Sequence, residues 1–346
     1  MKVVKLPKNK LNDFLKRLTK LGKVYVPVKR GKNSYVFDEF KEGVEVAVDY
    51  TRTLLPPKKF FLPPKEEMFK FSKWGYFTTE PKVDNFVIFG VHPCDVNAIN
   101  LLDKIFLDEY PDPYYKARRE KSFIIEIASC MPDDKCMCYT FGTYIAEYGQ
   151  DLCFIDIGEV FIVKIKTHKG FVLYHLGEGL FDENVSKEDL LELERVMAKR
   201  DKAFNKEVKM SDWISVIDLF DTDIGDEVWK TIASRCYGCG NCTMVCPTCH
   251  CWNVMDIVEI GELRGVRVRD WDSCQSYEYS LVAGGHSFTN IQVKRVKQRF
   301  THKLTKEKGL PNCVGCGRCV AICFAEISPI EVLKLFTKYL KMEVKS

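Results

Sequence analysis

Two runs of cysteine organise this sequence of 346 residues. The first run has the spacing Cys-x2-Cys-x2-Cys-x3-Cys-Pro, and the second repeats it with Phe324 in place of the proline. The cysteines of the first run are Cys236, Cys239, Cys242 and Cys246, and those of the second are Cys313, Cys316, Cys319 and Cys323. Three thiolates spaced by two residues can surround one corner of an iron–sulfur cubane, and this spacing is typical of [4Fe-4S] ligands. Phe324 alters the turn after the second run but removes no ligand.

The same pattern predicts how the ligands are shared. In ferredoxins with two clusters, the fourth cysteine of each run ligates the other cluster. We therefore predict one [4Fe-4S] cluster on Cys236, Cys239, Cys242 and Cys323. We predict a second [4Fe-4S] cluster on Cys313, Cys316, Cys319 and Cys246. Structural zinc is the alternative, because zinc sites also use Cys-x2-Cys pairs, although usually as separated pairs and not as triplets with a trailing cysteine.

A third group of cysteines precedes the two runs, and its members are Cys94, Cys130, Cys136 and Cys138. Cys94 follows the apolar residues 85–91, and Cys130 follows the apolar residues 123–128; such stretches are typical of buried parallel strands. If these strands are neighbours, the four thiols meet at the sheet edge where α/β proteins place their ligands. We predict a third [4Fe-4S] cluster here. A zinc site on the same ligands and inert buried thiols are the open alternatives, because this spacing fits no standard ferredoxin run.

Composition limits the class of protein. A hydrophobic content of 46% and a net charge of +4 are typical of a globular protein with a mixed surface, and they give no case for nucleic-acid binding. The sequence has no apolar run of membrane-spanning length and no signal-peptide core. Sixteen cysteines without an export signal indicate metal centres under reducing conditions. We therefore expect a cytoplasmic metalloprotein that binds neither nucleic acid nor membrane.

The periodicity of the sequence predicts an α+β protein with two domains. A mixed α/β domain is expected over residues 1–225, and an α-helical, ferredoxin-like domain with two clusters over residues 226–346, with the boundary in a polar run. Residues 171–176 are predicted as a strand and residues 252–259 as a helix. A capping box at Ser186 predicts a long helix that ends near residue 208.

Several other residues carry weaker expectations. The basic residues of 294–303 are expected on a solvated or subunit-facing surface. Cys249, Cys251 and Cys274 exceed the needs of two clusters, and we expect them to pack around the ligands; ligation of another centre is the alternative. No Gly-x-Gly-x-x-Gly helix start, Walker motif or Ser–His–Asp order is present, so we predict an electron carrier without a nucleotide site or catalytic residue of its own.

Several stretches together identify a family. They include Thr-Arg-Thr-Leu-Leu-Pro-Pro-Lys-Lys-Phe-Phe at 51–61, Phe-Gly-Val-His-Pro-Cys-Asp at 89–95, Cys-Pro-Thr-Cys-His-Cys at 246–251, Trp-Asp-Ser-Cys-Gln at 271–275 and Leu-Val-Ala-Gly-Gly-His at 281–286. With these stretches the chain resembles the beta subunits of archaeal soluble NAD(P)-linked [NiFe] hydrogenases, the sulfhydrogenases. It is also similar to the A subunit of anaerobic sulfite reductases. The resemblance covers nearly the full length.

The resemblance implies a subunit of a heterotetramer that couples H2 oxidation or evolution to NAD(P) and to sulfur reduction. Its partners would be a gamma subunit that binds FAD and NAD(P), together with a hydrogenase module of delta and alpha subunits. The clusters of this chain would pass electrons between them, with FAD and NAD(P) bound in the partner. Two alternatives are a sulfite reductase subunit that supplies a sirohaem protein and a non-redox scaffold with structural zinc.

Overall fold

The computed structural model describes residues 2–78, 81–204, 226–304, 306–307 and 310–343. Its N-terminal elements are β1 (Lys2–Pro7), α1 (Leu11–Leu18), β2 (Lys23–Lys29), β3 (Tyr35–Glu39), α2 (Lys58–Phe61), β4 (Lys65–Ser72), β5 (Gly75–Thr78), β6 (Phe86–Val91), α3 (Pro93–Phe106), α4 (Pro113–Lys121), β7 (Ser122–Ile127), β8 (Leu152–Asp156), β9 (Val160–Ile165), α5 (His168–Leu176) and α6 (Lys187–Phe204). The C-terminal elements are α7 (Asp226–Ala233), α8 (Asn241–Met244), β10 (Trp252–Val258), β11 (Arg264–Trp271), α9 (Gln292–Leu304), β12 (Lys306–Glu307), β13 (Leu310–Pro311), α10 (Arg318–Ile322) and α11 (Pro329–Glu343).

A mixed seven-stranded sheet forms the N-terminal half, in the order β1-β9-β8-β7-β6-β2-β3. Its central strands β2, β6, β7 and β8 run parallel, and the outer pairs are antiparallel. Every residue of β6 and β7 is buried, because helices cover both faces. Phe14 of α1 and Leu173 of α5 pack on one face, and Val96 of α3 and Tyr115 of α4 pack on the other. The carboxyl ends of β6 and β7 therefore emerge side by side.

A second sheet joins segments that are distant in sequence, in the order β10-β11-β4-β5. β11 pairs antiparallel with β4, so a strand of the C-terminal part extends the β4–β5 hairpin of the N-terminal part. Buried Arg269 supports this junction, because its guanidinium donates to Glu66 at 2.8 Å and to Asp112 at 2.5 Å. The predicted domain boundary falls at residues 221–226, and residues 205–225 lie outside the described part of the chain. The division into two domains stays a prediction.

The C-terminal helices pack around one apolar core. Trp229 of α7, Val296 of α9 and Phe336 of α11 lie in it, and the rings of Trp229 and Phe336 are 4.8 Å apart. The prediction of a mixed α/β protein with helices around the C-terminal cysteine runs is confirmed. Among the described residues, no helix is both long enough and apolar enough to cross a membrane.

Two secondary-structure predictions were wrong. Residues 252–259 do not form a helix: β10 pairs along its whole length with β11 in a hairpin. Their β-branched residues favour a strand, and the pairing with β11 decides the outcome. Residues 171–176 belong to α5 and not to a strand, because the Thr167 hydroxyl accepts a hydrogen bond from the Gly170 amide at 3.1 Å and caps the helix.

The predicted capping box is present at the start of α6. The Asp189 amide donates to the Ser186 hydroxyl at 3.1 Å, and the Ser186 amide donates to the Asp189 carboxylate at 2.9 Å. This reciprocal pair fixes where the helix begins. The helix is described as far as Phe204, so its predicted end near residue 208 lies outside the described residues.

Candidate iron–sulfur centres

Four cysteines from both runs line one small cavity, and they are Cys246, Cys313, Cys316 and Cys319. The trailing cysteine of the first run is thus brought to the triplet of the second run, because α8 contacts α10. Arg299 and Lys303 of α9 also line this cavity. Four cysteines beside two cationic residues have the donor chemistry of a [4Fe-4S] site with thiolate ligands. We call these four cysteines the second ligand set.

The protonation of the second ligand set is uneven. Burial raises the pKa of the Cys313 thiol to about 11 and that of Cys319 to about 12. By contrast, a hydrogen bond from Cys249, with Lys303 and Arg299 nearby, holds the pKa of the Cys246 thiol well below its usual value. The thiolate is the metal-binding form. These shifts favour the thiolate at Cys246 and the protonated thiol at Cys313 and Cys319, and metal binding would have to displace the protons of the latter two.

The first ligand set consists of Cys236, Cys239, Cys242 and Cys323. Arg235 donates to the Ala325 carbonyl at 2.8 Å and pairs with Glu331, so it holds the chain beside Cys236 against the chain beside Cys323. Both of these cysteines also pack against the helical core. Cys242 lies in α8, and Cys239 is exposed.

The two cysteine runs are folded alike at their first turns. The Gly238 amide lies 3.4 Å from the Cys236 sulfur, and the Gly315 amide lies 3.4 Å from the Cys313 sulfur. Both glycines have positive φ, at 65° and 61°. A backbone amide directed at a ligand sulfur is one of the groups that tune an iron–sulfur centre.

The third group of cysteines is brought together as the strand order predicts. β6 and β7 are parallel neighbours, so Cys94 at the start of α3 and Cys130 after β7 lie at one sheet edge. Cys138 is within hydrogen-bond reach of both Cys136 and Cys94. Partly buried Cys130 interacts electrostatically with Cys94 and Cys136, and desolvation raises its pKa well above the usual value. We call these four cysteines the third ligand set.

The second and third ligand sets are in direct contact. The Met137 amide donates to the Gly315 carbonyl at 2.7 Å, and the Cys138 sulfur lies 3.3 Å from the same oxygen. The Thr143 hydroxyl donates to the Val314 carbonyl at 2.6 Å. A Cβ at Gly315 would overlap the Met137 carbonyl and lie 2.7 Å from the Cys138 nitrogen, so the two loops approach as closely as glycine allows.

A buried ion pair joins the same two ligand sets. Arg318 donates to both carboxylate oxygens of Asp95, at 2.6 and 2.7 Å, and to the Thr53 carbonyl at 2.8 Å. Asp95 follows Cys94 of the third set in sequence, and Arg318 precedes Cys319 of the second set. Asp95 lies in the first turn of α3, which begins at Pro93, and its carboxylate is used in this pair. Bidentate geometry of this kind fixes relative position as well as charge.

The basic stretch at 294–303 corrects another expectation. Arg299 and Lys303 are buried and face the second ligand set, so this part of α9 is not simply a solvated surface. A signal was present in the sequence: both residues share the helical stripe of buried Val296, at the spacing of an apolar face. Lys58 of α2 is buried in the same region, and burial lowers its pKa to about 8.

The surplus cysteines contact protein groups around the ligands. Arg299 donates to the Cys249 sulfur at 3.6 Å, and the Cys251 sulfur lies 3.6 Å from the Tyr279 hydroxyl. Cys274 is buried beside Gln275. These contacts agree with the packing role that we expect, which stays a prediction. Cys153 lies elsewhere, in β8, where its thiol is within hydrogen-bond reach of the Glu126 carboxylate.

The described side chains form no single-ion site. Within the described ranges, no three His, Cys, Asp or Glu side chains are placed to hold one metal ion. In a cubane each thiolate binds a different iron atom, so the four ligands lie farther apart than the ligands of a single ion. A four-cysteine cluster site is therefore not expected to place three side chains around one point.

Comparison with known proteins agrees with this arrangement. Residues 235–327 match the family model of the 4Fe-4S dicluster domain, and the match contains all eight cysteines of the two runs. The whole chain is similar to sulfhydrogenase 2 subunit beta of Pyrococcus furiosus. The two are 41% identical over 335 residues, which covers 96% of this chain and 98% of the relative.

Proposed function

The chain belongs to the family of sulfhydrogenase beta subunits, and we propose on that premise that it is the iron–sulfur relay of a hydrogenase complex. It passes electrons between a gamma subunit that binds FAD and NAD(P) on one side and a nickel–iron module of delta and alpha subunits on the other. The relay serves both directions of the H2 reaction and sulfur reduction. The observation that carries this proposal is the cavity lined by the second ligand set, which draws one cysteine from the other run.

The chemistry assigned to this chain is electron transfer alone. A bound [4Fe-4S] cluster supplies a one-electron carrier, whereas NAD(P)H delivers a hydride, so a flavin in the partner has to divide the electron pair. The residues of this chain supply thiolates, exclude water by burial and place charge around the ligands. We assign no catalytic residue, and we propose three clusters, one on each ligand set.

The contacts favour a linear order of the three centres. The second ligand set touches the third through Gly315 and Cys138. It is joined to the first through α8, because Cys242 lies in that helix and Cys246 follows two residues after its end. We therefore place the cluster of the second ligand set in the middle of the relay.

The comparisons favour this proposal over its two alternatives. Similarity along nearly the full length to a sulfhydrogenase subunit supports the hydrogenase complex over an anaerobic sulfite reductase. The match to a 4Fe-4S dicluster domain supports iron–sulfur clusters over structural zinc. We further propose that the chain works in the cytoplasm, without nucleic acid or membrane as a partner.

The relay is tested in the purified complex with Cys316→Ala, and with Cys153→Ala as the matched control. Cys316→Ala should abolish H2-driven NAD(P)+ reduction, because it removes a ligand of the middle centre. H2-driven reduction of an artificial dye at the nickel–iron module should persist. Cys153→Ala should retain both activities, since this thiol lies outside the three ligand sets. Equal loss of both activities in Cys316→Ala would argue against a relay.

A further inference from the structure

Three cationic side chains are buried around Cys246 and Cys249. Lys58, Arg299 and Lys303 are only 3%, 6% and 2% exposed. They come from two elements that are far apart in sequence, α2 and α9. The fold thus concentrates positive charge at one place in its interior, where charged side chains are rarely found without a partner.

The contacts of these cations are with neutral oxygen atoms and with sulfur. Lys303 donates to the Thr248 carbonyl at 3.1 Å and to the Thr248 hydroxyl at 3.0 Å. Arg299 donates to the Cys242 carbonyl at 3.2 Å and to the Cys249 sulfur at 3.6 Å. Lys58 donates to the Cys249 carbonyl at 2.8 Å and lies over the Trp271 ring. All of these acceptors surround the loop that carries Cys246.

No carboxylate among the described residues pairs with any of the three cations. Other buried arginines do have carboxylate partners: Arg200 pairs with Asp201, Arg269 with Glu66, and Arg318 with Asp95. A buried charge without a counter-charge strongly destabilises a fold. The fold therefore requires negative charge at this place, and the nearest source is the set of cysteines in whose cavity Arg299 and Lys303 lie.

We propose that Arg299 and Lys303 are the counter-charges of the middle cluster and raise its midpoint potential, so that an electron rests there between the two ends of the relay. This inference rests on the proposed function. A [4Fe-4S] cluster with four thiolates is an anion, and reduction adds one more negative charge. Fixed cations stabilise the reduced form more than the oxidised form, because attraction grows with the charge.

The electron balance is simple. The middle cluster gains one electron, and a neighbouring reduced centre or the partner's reduced flavin loses one. This chain breaks no bond and moves no proton in that step. Lys58 contacts the Cys249 carbonyl and does not line the cavity, so its contribution is smaller. The charge of Arg318 is neutralised by Asp95, so it contributes less than its proximity alone would imply.

The experiment is a redox titration of the full-length reconstituted chain, followed by electron paramagnetic resonance. The signal that disappears in Cys316→Ala identifies the middle cluster. Lys303→Met and Arg299→Gln should each lower the midpoint potential of that signal, by the equivalent of about a tenfold change in the ratio of reduced to oxidised cluster at fixed potential. Lys303→Arg, which keeps the charge, and Lys230→Met, which removes an exposed charge, should leave the potential unchanged.

Iron analysis of every sample separates the two ideas. If wild-type chain loads no cluster on the second ligand set, the proposed function fails. If the clusters load and both charge-removing variants titrate like wild type, only the present inference is overturned. Should Lys303→Met fail to load, Lys303→Gln and Arg299→Gln decide by the same criterion. The role of charge would also be contradicted if Lys303→Arg lowered the midpoint potential as far as Lys303→Met does.

Discussion

Arg318 and Arg299 are both buried beside the second ligand set, but their surroundings differ in charge. Arg318 is held by both oxygens of Asp95, and the pair is almost completely buried. Arg299 contacts a carbonyl oxygen and a cysteine sulfur, with no carboxylate partner in the described chain. The first arrangement is close to neutral and the second is not.

The difference separates two uses of a buried cation. The Arg318–Asp95 pair joins the residues next to Cys319 and Cys94, so its effect is to fix the distance between the second and third cysteine sets. Arg299 and Lys303 have no carboxylate partner among the described residues and line a cavity of four cysteines. A near-neutral ion pair such as Arg318–Asp95 mainly fixes geometry. A cation without a carboxylate partner, such as Arg299, would also change the electrostatic energy of an electron held nearby.

Removal of Asp95 should have the largest effect on stability. Asp95→Asn leaves Arg318 buried without its counter-charge, and breaking a buried pair in this way costs about 3–5 kcal/mol. The midpoint of urea unfolding under anaerobic conditions measures the loss. Glu227→Gln breaks an exposed pair with Lys230 and should leave the midpoint unchanged. An Asp95→Asn chain as stable as wild type would contradict the role given to the pair.

Glu126 is a third kind of buried ionisable group, because protonation removes its charge. Burial raises the pKa of its carboxyl from an ordinary 4.5 to about 7. Between pH 4.5 and about 7, the Glu126 carboxyl is therefore protonated in the folded chain and ionised in the unfolded chain. The resulting stabilisation is present in full below pH 4.5 and is lost as the pH rises through about 7.

Glu126→Gln should abolish this pH dependence, because Gln150 can still donate to the new carbonyl. Relative to the variant, wild type should lose up to about 3 kcal/mol of unfolding free energy between pH 5 and 8. Urea midpoints across this range test the prediction, and exposed Glu188→Gln serves as the control that follows wild type. Parallel pH profiles for wild type and Glu126→Gln would show that Glu126 is charged in the fold.

A substitution at Gly315 would test the close contact between the second and third ligand sets without a change of charge. Gly315→Ala should cost about 1 kcal/mol for its positive φ and about 1–3 kcal/mol more for overlap with the Met137 backbone. Gly142→Ala is the matched control, since its φ of 67° is similar and a Cβ there meets nothing within 4 Å. Unfolding midpoints should therefore fall further for Gly315→Ala. Equal losses in the two variants would mean that the close contact is unimportant.

The sequence predicted the cysteine groups better than their surroundings. The structure brings Cys246 of the first run to the triplet of the second run, whereas ligand sharing itself stays a prediction. Cys94 and Cys130 could be placed because each follows a buried parallel strand. The orientation of Arg299 and Lys303 was missed because basic residues on a helix usually face solvent. The pairing of β11 with β4 joins segments on opposite sides of the predicted boundary, and no local pattern encodes such a partner.

The most direct test of the account is an iron and sulfide count on the full-length chain, reconstituted anaerobically, for wild type, Cys130→Ala and Cys153→Ala. Three clusters predict about 12 irons for wild type and for Cys153→Ala, at four irons per cubane. Cys130→Ala, which removes a ligand of the third set, should fall to about 8 irons. About 8 irons in all three proteins would contradict the account, because the third ligand set would then hold no cluster.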